Sequence, residues 1–439
     1  MSKTRNIKKS IINMKLRINT TQELNGSVTP PSSKSQTIRG LILAILAKGT
    51  SILHNPLESD DTDAAIDVCR GLGSEIIKEG NSLVIKSSGV PLKNIGKELN
   101  SKNSGITTRF VMPLLGLRKD NNEEIILNCG DQMKQRPLGP MINSLKKFGM
   151  NIDSEDERCP LKISGTLQGG SVEVDGTTSQ YVSALLLSAS YVKQDVEIVV
   201  RDLHERPYVD MTLQWLTEAG IKYTHEQKEN VDIYKVKSGQ TYQPFEKQIP
   251  VDFSSLSYPL AAACMIPGEV VLKGIDMNEN QGDKRLVYIL KEMGADIEIN
   301  KDRLIIRGGK PLYGLEIDAN DIPDMLPTLA VIGTYAQGKT KIVNVAQARI
   351  KETDRIHSMA TELKKMGAEI EEQEDGLVVE KSYLRGSALH GYEDHRTIMA
   401  LSLAGMIAQG ETVIDTAEGI SKTFPNYVQL MQELGAKIK

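Results

Sequence analysis

The sequence predicts a protein of the α/β class, made of six copies of one unit in which helices and strands alternate. The first observation is a recurring helix end, in which an apolar residue is followed by glycine and then by an apolar strand start. Glycine enters the left-handed conformation that stops a helix at little cost, so each glycine is expected to end a helix. The six predicted stops are Gly73, Gly149, Gly220, Gly294, Gly367 and Gly435.

The second observation is the near-even spacing of these stops, which indicates an internal repeat. The spacing exceeds that of common solenoid repeats, so each copy is expected to be a compact subdomain. The third observation is the length of 439 residues, which is too long for one ordinary hydrophobic core. Two domains of three units each are therefore predicted.

Composition and cysteine usage exclude several classes of protein. The net charge of −4 and the aromatic content of 4% argue against a nucleic-acid binder, which usually has a basic surface and stacking rings. The four cysteines form no CxxC pair, which favours reduced thiols over a zinc site or a disulfide framework. No apolar run reaches membrane-spanning length, and the basic extension at residues 1–14 lacks the apolar core of a signal peptide. We therefore expect a soluble cytoplasmic protein that binds neither nucleic acid nor membranes.

Polar and charged residues stand at one predicted helix start after another. Residues 14–28 have the pattern of two short strands, and a helix begins near Ser35, with Lys34 and Arg39 beside its N-terminus. Backbone N–H groups at a helix N-terminus favour an anion, although the glycine of a Walker A loop is missing here. A turn with Gly105 would let the backbone approach a ligand, and an ordinary helix start capped by Asn103 is the alternative.

Further helix starts continue the pattern along the chain. Pro137 is expected to be the first residue of a helix, which places Arg136 at its entrance. Residues 177–180 and 205–208 repeat the arrangement before two more helices. The pattern loosens over residues 242–251, where we place a crossing between domains. In the second half, helices are predicted over residues 252–266, after Asp324, over residues 397–408 after Asp394-His395-Arg396, and after Lys422.

Residues 349–370 combine a chemical part with a repeat of the structural unit. Lys351 and Arg355 are four residues apart and are expected to share a helix face, with Glu352 beside them at the helix start. Two cations and a carboxylate in one turn suit an anionic substrate that also exchanges a proton. A charged first turn that is simply solvated is the alternative.

Together, the helix starts predict one site. If the units are arranged alike, their helix N-termini converge on one face and form a concentrated cationic cleft for small, multiply charged ligands. Asp324 and Glu352 are the acids placed for proton transfer. Because the cations come from both halves of the chain, we also expect their repulsion to hold the empty cleft open. The cations concerned are Lys34, Arg39, Arg136, Arg206, Lys351, Arg355, Arg396 and Lys422.

An ordered series of motifs resembles the 5-enolpyruvylshikimate-3-phosphate synthase family of enolpyruvyl transferases. In chain order they are Pro-x-Ser-Lys-Ser-x-x-x-Arg, Asn-Ser-Gly-x-x-x-Arg, Lys-x-Arg-Pro, Ser-Gln, Arg-Pro-Tyr-x-Asp, Ile-Pro-Asp, Arg-Ile-Lys-Glu-Thr-Asp-Arg, Asp-His-Arg and Lys-Thr-Phe-Pro. The resemblance implies a two-domain inverse α/β barrel with three βαβαββ units in each domain. Domain I would comprise residues 15–31 and 251–439, and domain II residues 32–250.

The resemblance also implies an activity, which is transfer of the enolpyruvyl group of phosphoenolpyruvate to the 5-hydroxyl of shikimate 3-phosphate. Asp324, Glu352 and Lys34 would be catalytic, and no metal or organic cofactor would be needed by a monomer. Shikimate 3-phosphate would be held by Lys34, Ser35, Arg39, Thr178, Ser179, Gln180, Asp324, Gln347 and Lys351. Phosphoenolpyruvate would be held by Lys34, Gly105, Arg136, Gln180, Arg355, Arg396 and Lys422.

Several positions depart from the pattern of the family. Glu205 replaces a Ser that contacts phosphate, so we expect its carboxylate to turn away and Arg206 to compensate. Gln347 replaces an Asn, which is one methylene shorter. Ile106 and Phe110 replace Thr and Pro beside Gly105, and their bulk predicts reduced sensitivity to glyphosate; an unchanged, repacked pocket is the alternative.

Two other functions remain open at this stage. A sister enolpyruvyl transferase acting on a nucleotide sugar would share the fold, but its Lys-Asn entry motif and loop cysteine are absent from this chain. A non-catalytic phosphate-binding relative, or an RNA-end-processing protein built from the same units, would lack the pair formed by Asp324 and Glu352.

Overall fold

The computed structural model describes residues 14–439, so the predicted basic extension lies outside the described residues except for Met14. As predicted, two short strands come first, β1 (Leu16–Ile18) and β2 (Gly26–Val28). Unit 1 follows with α1 (Lys34–Leu46), β3 (Gly49–His54), α2 (Asp60–Gly71), β4 (Glu75–Glu79) and β5 (Ser82–Ser87). Unit 2 contains β6 (Glu98–Asn100), α3 (Gly105–Leu114), β7 (Ile125–Asn128), α4 (Asp131–Lys134), α5 (Gly139–Lys147), β8 (Met150–Ser154) and β9 (Leu161–Gly165).

The remaining units repeat this alternation. Unit 3 contains β10 (Gly170–Asp175), α6 (Ser179–Ser188), β11 (Val196–Arg201), α7 (Arg206–Glu218), β12 (Tyr223–Lys228) and β13 (Val231–Val236), and β14 (Glu246–Gln248) follows it. Unit 4 contains α8 (Phe253–Met265), β15 (Gly268–Lys273), α9 (Arg285–Glu292), β16 (Asp296–Ile299) and β17 (Arg303–Gly308). Unit 5 contains β18 (Glu316–Asp318), α10 (Leu326–Tyr335), β19 (Lys339–Val343), α11 (Arg355–Lys365), β20 (Ile370–Gln373) and β21 (Gly376–Glu380). Unit 6 contains β22 (Ala388–Leu389), α12 (His395–Ile407), β23 (Thr412–Ile414) and α13 (Tyr427–Glu433).

Each unit builds one small sheet. Units 2, 3 and 5 supply all four strands of their own sheets, in the orders β6-β7-β9-β8, β10-β11-β13-β12 and β18-β19-β21-β20. The first two strands of each sheet are parallel and the last two form an antiparallel hairpin. Parallel neighbours need a crossover, and the helix between them provides it. The result is a mixed α/β fold of many small sheets and helices.

Two sheets receive their first strand from a distant part of the chain. The β14 strand pairs with β3 in unit 1, although it lies next to α8 in sequence. Conversely, β2 precedes α1 in sequence but pairs with β15 in unit 4. The two crossing segments run side by side, with Ser33 N–H donating to Pro250 O at 2.8 Å and Asp252 N–H to Pro31 O at 2.9 Å. In unit 6, β1 pairs with β23, so residues near the two ends of the described chain close one sheet.

Two hydrophobic cores organise these sheets. The split core is formed by residues from 16–28 and 251–438, and the continuous core by residues from 38–249. Helices α8, α10 and α12 pack together in the split core, and α3 packs on α1 and α6 in the continuous core. These helices are apolar on nearly all sides, as expected of helices that contact protein all round. Each large apolar side chain that they bury contributes about 1.5–3 kcal/mol of hydrophobic stabilisation before the entropy cost of folding.

The predicted helix stops are confirmed, whereas several helix starts are wrong by a few residues. All six glycines have φ between 74° and 103°, the left-handed region that side chains disfavour. Pro137 does not begin a helix, because α5 starts at Gly139 with Pro140 in its first turn. Ser104, not Asn103, is the residue before α3, and its side chain makes no capping hydrogen bond.

Two further predictions made from the sequence concern membrane-spanning segments and the cysteines. No helix within residues 14–439 combines the length and the apolar character that a membrane span requires. All four cysteines are buried and none forms a disulfide.

Candidate active site

A polar cleft lies where the N-termini of helices from both cores meet, as the sequence predicts. From the continuous core, α1, α3 and α6 present Lys34, Gly105 and Ser179. From the split core, α11 and α12 present Arg355 and Arg396. The full lining is Lys34, Ser35, Arg39, Asp61, Gly105, Ile106, Arg136, Ser179, Gln180, Glu205, Tyr208, Asp252, Ser254, Asp324, Lys351, Glu352, Arg355, His395 and Arg396. Twelve of the predicted site residues therefore lie together in this cleft.

Three predicted site residues lie beside the cleft rather than in its lining. Thr178 and Gln347 border an adjoining pocket, which shares Arg136 and Lys351 with the cleft. The Gln347 amide donates to Asn320 O at 2.8 Å, and its side-chain oxygen has no hydrogen-bond partner among the described residues. Lys422 Nζ donates to Gln132 Oε1 at 2.5 Å and to the carbonyl of Glu393 at 2.7 Å, so it fastens α4 to the split core.

Arg355 connects three carboxylates at the centre of the cleft. Its side chain is 1% exposed and donates to Asp394 Oδ2 at 2.8 Å, to Asp324 Oδ1 at 2.7 Å and to Glu352 Oε2 at 2.7 Å. Asp394 also caps α12, which fixes the position of the arginine. The expectation that Lys351 and Arg355 share a helix face is wrong, because Asp354 caps α11 and leaves Lys351 in the preceding loop.

Both predicted proton-transfer acids are held ionised in this arrangement. Burial would raise the pKa of Asp324, but Arg396 and Arg355 hold the pKa of that carboxyl far below its usual range. Burial also acts to raise the pKa of Glu352, and Arg355 and Arg136 outweigh it and lower the pKa. The contacting distances are 2.7 Å from Arg396 to Asp324 and 3.5 Å from Arg136 to Glu352. The neighbouring arginines thus favour the ionised form of both carboxyl groups.

Glu205 does not turn away from the cleft, so the expectation made from the sequence is wrong. Its carboxylate accepts hydrogen bonds from Ser179 Oγ at 2.8 Å and from Ser179 N at 3.3 Å, and it forms an ion pair with Lys351. Arg206 does not compensate at this place, because it forms a bidentate pair with Asp232. The sequence identified the correct position but gave the side chain the wrong direction.

A buried carboxyl lies directly behind the cleft. Asp283 is 2% exposed and accepts hydrogen bonds from Tyr208 Oη at 3.0 Å and from Ser254 Oγ. The same Tyr208 hydroxyl lies 3.4 Å from Asp324 Oδ2. Burial, with the negative charge of Asp324 adding to it, raises the pKa of Asp283 to about 7. Nothing in the sequence signals Asp283, whereas Tyr208 stands in the Arg-Pro-Tyr motif.

His395 is a further cleft residue to which the sequence analysis assigned no role. It lines the cleft and is 1% exposed, and neither ring nitrogen makes a hydrogen bond with a described residue. Burial, together with the charges of Lys34 and Arg396, holds its pKa well below the usual range. These surroundings favour the neutral imidazole, which faces the cleft with its Nδ1 atom 3.4 Å from Asp394 Oδ1. Its place in the Asp-His-Arg motif was the available signal.

Two other arginines fix the shape of the cleft. Arg39 is 1% exposed and donates to Thr212 Oγ1 at 2.8 Å and to Tyr208 O at 2.8 Å, so most of its donors already serve the fold. Arg109 donates to Gln180 Oε1 at 2.8 Å and holds that amide toward the cleft. A Cβ atom on Gly105 would lie 2.5 Å from Arg136 Nη1, so any other residue there would displace the guanidinium group of Arg136.

The cleft is not the uncompensated cationic surface that the sequence suggested. Six cationic and five acidic side chains line it. Lys34 pairs with Asp61 at 2.9 Å, and Lys351 and Arg136 pair across the cleft with Glu205 and Glu352. The premise that repulsion between cations opens the empty cleft is therefore wrong, because acids from both cores neutralise them. The acidic start of α2, at Asp60 and Asp61, was a signal in the sequence for one of these partners.

Comparisons with known proteins agree on one family. The family model described as EPSP synthase (3-phosphoshikimate 1-carboxyvinyltransferase) matches residues 18–431. A protein of Acetivibrio thermocellus with that enzyme name is 45% identical over 418 residues, which cover 94% of this chain and 97% of the relative. One of Methanocaldococcus jannaschii is 38% identical over 432 residues, covering 97% and 99%. The solved EPSP synthase of Acinetobacter baumannii is similar in fold, with a TM-score of 0.81, 24% identity and coverage of 97% and 99%.

Proposed function

The chain belongs to the EPSP synthase family, and from this membership we propose that it transfers the enolpyruvyl group of phosphoenolpyruvate to the 5-hydroxyl of shikimate 3-phosphate and releases phosphate. The relatives' name, 3-phosphoshikimate 1-carboxyvinyltransferase, describes that transfer. The observation that carries the proposal is the pairing of Asp324 and Glu352 by one buried arginine, Arg355. It places two acids and an anion-binding group in one cleft, as the reaction requires.

We propose that the two cores are two domains of inverse-barrel type with three βαβαββ units each. Domain I comprises residues 15–31 and 251–439, and domain II comprises residues 32–250. The exchange of β2 and β14 between distant parts of the chain supports this division, since each strand completes a sheet on the other side of the crossing. Because one chain supplies both walls of the cleft, a monomer suffices for activity. A cytoplasmic location remains a prediction of the sequence.

Shikimate 3-phosphate is proposed to bind along the wall formed by α1 and α6, with groups from the split core opposite. Helix N-termini, hydroxyls and ammonium groups are suitable partners for a phosphate and a polyhydroxylated ring. Asp324 lies across from α1 and α6, where its carboxylate accepts a hydrogen bond from a ring hydroxyl. The proposed ligands are Lys34, Ser35, Arg39, Thr178, Ser179, Gln180, Asp324, Gln347 and Lys351.

Phosphoenolpyruvate is proposed to bind beside it, on the guanidinium groups. Its carboxylate and phosphate each accept two parallel hydrogen bonds from an arginine, which an ammonium cannot reproduce. Without the substrate those arginines pair with Asp324 and Glu352. Bound phosphoenolpyruvate would therefore share the positive charge of the arginines with the two acids. The proposed ligands are Lys34, Gly105, Arg136, Gln180, Arg355, Arg396 and Lys422.

This exchange of partners explains how two strongly ionised acids could move protons. When phosphoenolpyruvate shares Arg355 and Arg136, the electrostatic stabilisation of the ionised acids falls and the pKa of each carboxyl rises. Glu352, which takes up a proton from solvent as its pKa rises, gives that proton to C3, while Asp324 takes the proton of the 5-hydroxyl as the hydroxyl oxygen adds to C2. In the second step Glu352 takes a proton back from C3, the bond from C2 to the phosphate oxygen breaks, and the phosphate leaves with the proton that Asp324 took. Lys34 stabilises the charge that develops on that oxygen. The reaction needs no metal or organic cofactor.

Phosphate release tests the proposed function. The purified chain should release phosphate only when shikimate 3-phosphate and phosphoenolpyruvate are both present, and mass spectrometry should find the enolpyruvyl ether. Replacing shikimate 3-phosphate by a UDP-linked amino sugar should give no turnover. Turnover with the nucleotide sugar, or none with shikimate 3-phosphate, would overturn the proposal.

A further inference from the structure

The Glu205 carboxylate occupies a set of donors that suits a phosphate group. Ser179 donates to it from both its hydroxyl and its backbone N–H, and the Thr178 hydroxyl lies 3.4 Å away. Lys351 completes the set from the opposite wall. These groups are the N-terminus of the ten-residue helix α6, two hydroxyls and an ammonium, all of which bind anions well. The site is therefore built for an anion and already contains one from the protein itself.

Burial and backbone geometry show that this placement is not a surface accident. Glu205 is 2% exposed, and its backbone has φ of 57° and ψ of 35°, a conformation that costs a non-glycine residue free energy. Its N–H donates to Asn320 O at 3.3 Å in the split core. The residue is thus tied to both walls of the cleft, to α6 through Ser179 and to the split core through Asn320 and Lys351.

We propose that Glu205 is an internal occupant of the anion-binding site and that an incoming phosphate must displace it from Ser179 and Lys351. This inference rests on the proposed function, which places shikimate 3-phosphate on those two residues. One set of donors cannot serve two anions at hydrogen-bond distance, because like charges held so close in a buried site repel strongly. Glu205 therefore sets how strongly the site holds a phosphorylated substrate.

The exchange also gives the site a selection rule. Only a ligand group with at least the charge and the acceptor oxygens of a carboxylate can compete with Glu205 for Lys351 and the start of α6. A phosphate dianion meets this requirement, whereas a hydroxyl or a neutral amide does not. Unphosphorylated shikimate presents only its 3-hydroxyl at this position, so it is excluded by an occupied site rather than by an empty one, which is a form of selection by competition.

The test removes the charge of Glu205 and keeps its size. Glu205→Gln should bind shikimate 3-phosphate about tenfold or more tightly than the wild type in calorimetry, since its amide competes less well for Lys351. The KM for phosphoenolpyruvate should change much less. Glu218→Gln is the matched control, because Glu218 ends α7, the helix that Glu205 immediately precedes, and pairs with Lys247 outside the cleft. Its affinity for shikimate 3-phosphate should equal that of the wild type.

A second variant and a second ligand distinguish a failure of this inference from a folding defect and from a failure of the proposed function. If Glu205→Gln does not fold, Glu205→Asn replaces it, because Asn tolerates the left-handed conformation better. Inorganic phosphate serves as a second ligand and should also bind the neutral variant more tightly. Unchanged or weaker binding of both ligands by a folded neutral variant would overturn the inference. A wild type that does not turn over shikimate 3-phosphate, beside a variant that binds phosphate more tightly, would overturn the proposed function alone.

Discussion

At the scale of single residues, the arginines of the cleft differ in how much of the fold depends on them. Arg355 is surrounded by three carboxylates, whereas Arg136 contacts one, Glu352, at 3.5 Å. Removing one partner of a buried ion pair leaves an uncompensated charge, which costs about 3–5 kcal/mol. Substitutions at Arg136 and Arg355 should therefore distinguish a loss of substrate binding from a loss of protein stability.

Arg136→Ala should weaken phosphoenolpyruvate binding about tenfold or more while the melting temperature changes little, since one long ion pair is lost. Arg355→Ala should lower both the affinity and the melting temperature. Steady-state kinetics and thermal unfolding measure the two effects, with the half-exposed Lys134→Ala beside the cleft as control. Unchanged KM for phosphoenolpyruvate in Arg136→Ala would rule out its role in binding.

Asp283 makes stability depend on pH in a predictable direction. Its pKa in the folded protein is about 7, above the ordinary value of 3.8, so the folded state binds the extra proton between these values. Its contribution to stability therefore falls as pH rises from about 4 to 7. The groups around it are Tyr208, Ser254, Asp252, Asp324 and Arg396.

Asp283→Asn keeps an acceptor for Tyr208 and Ser254 but does not titrate. Relative to the wild type, it should gain stability between pH 5 and pH 8, by about 3 kcal/mol, because about two pH units of this range lie below the folded-state pKa. Thermal unfolding across that range measures the gain, with the exposed Asp302→Asn as control. Parallel curves for Asp283→Asn and the wild type would show that Asp283 keeps the same charge throughout.

At the scale of elements, helix ends were more predictable than helix starts. Each stop depends on one local property of glycine, and all six have positive φ. Starts depend on which side chain caps the helix. Asp354 accepts from His357 N at 3.0 Å, so α11 begins at Arg355, and the periodicity of the sequence extended it too far. The directions of Glu205 and Arg206 were not predictable locally, because Lys351 and Asp232, which bind them, are distant in sequence.

The stops at Gly73 and Gly367 form a matched pair for mutation. Both have φ near 90°, so an alanine at either position costs about 1–2 kcal/mol of backbone strain. A Cβ at Gly73 would also lie 2.4 Å from Lys93 O, whereas at Gly367 the nearest atom is 4.0 Å away. Gly73→Ala should therefore lower the melting temperature more than Gly367→Ala. The reverse order would show that the close approach at Gly73 relaxes freely.

The prediction of reduced glyphosate sensitivity concerns two residues at the start of α3. Ile106 lines the cleft beside Gly105, and Phe110 is fully buried beneath Arg39. Glyphosate is longer than phosphoenolpyruvate, so a narrowed pocket should exclude it more strongly. Ile106→Thr should tighten glyphosate binding by about 1–3 kcal/mol and change the KM for phosphoenolpyruvate less.

Competition kinetics measure this difference. Ile95→Thr, at an exposed position, is the matched control and should leave glyphosate inhibition unchanged. A wild type that binds glyphosate more tightly than phosphoenolpyruvate would contradict the prediction and favour a repacked pocket of ordinary width.

At the scale of the whole molecule, the repeat was visible in the sequence but the connection between the cores was not. The six glycines indicated six units, and the loosened pattern near residue 245 indicated one crossing. The second crossing depends on β2 pairing with β15, a contact between residues far apart that no local pattern shows. It was expected from the family resemblance alone. No local pattern shows which carboxylates pair with the cations across the cleft either, since each of these pairs joins residues of different cores.

In the proposed mechanism, Glu352 adds a proton to C3 of the enolpyruvyl group and then removes one. Mass spectrometry of the product formed in D2O from ordinary phosphoenolpyruvate and shikimate 3-phosphate measures this exchange. The product should carry deuterium in its vinyl group, because the methyl group of the intermediate gains one deuteron and can then lose a proton. A product formed at full rate without deuterium would contradict this mechanism.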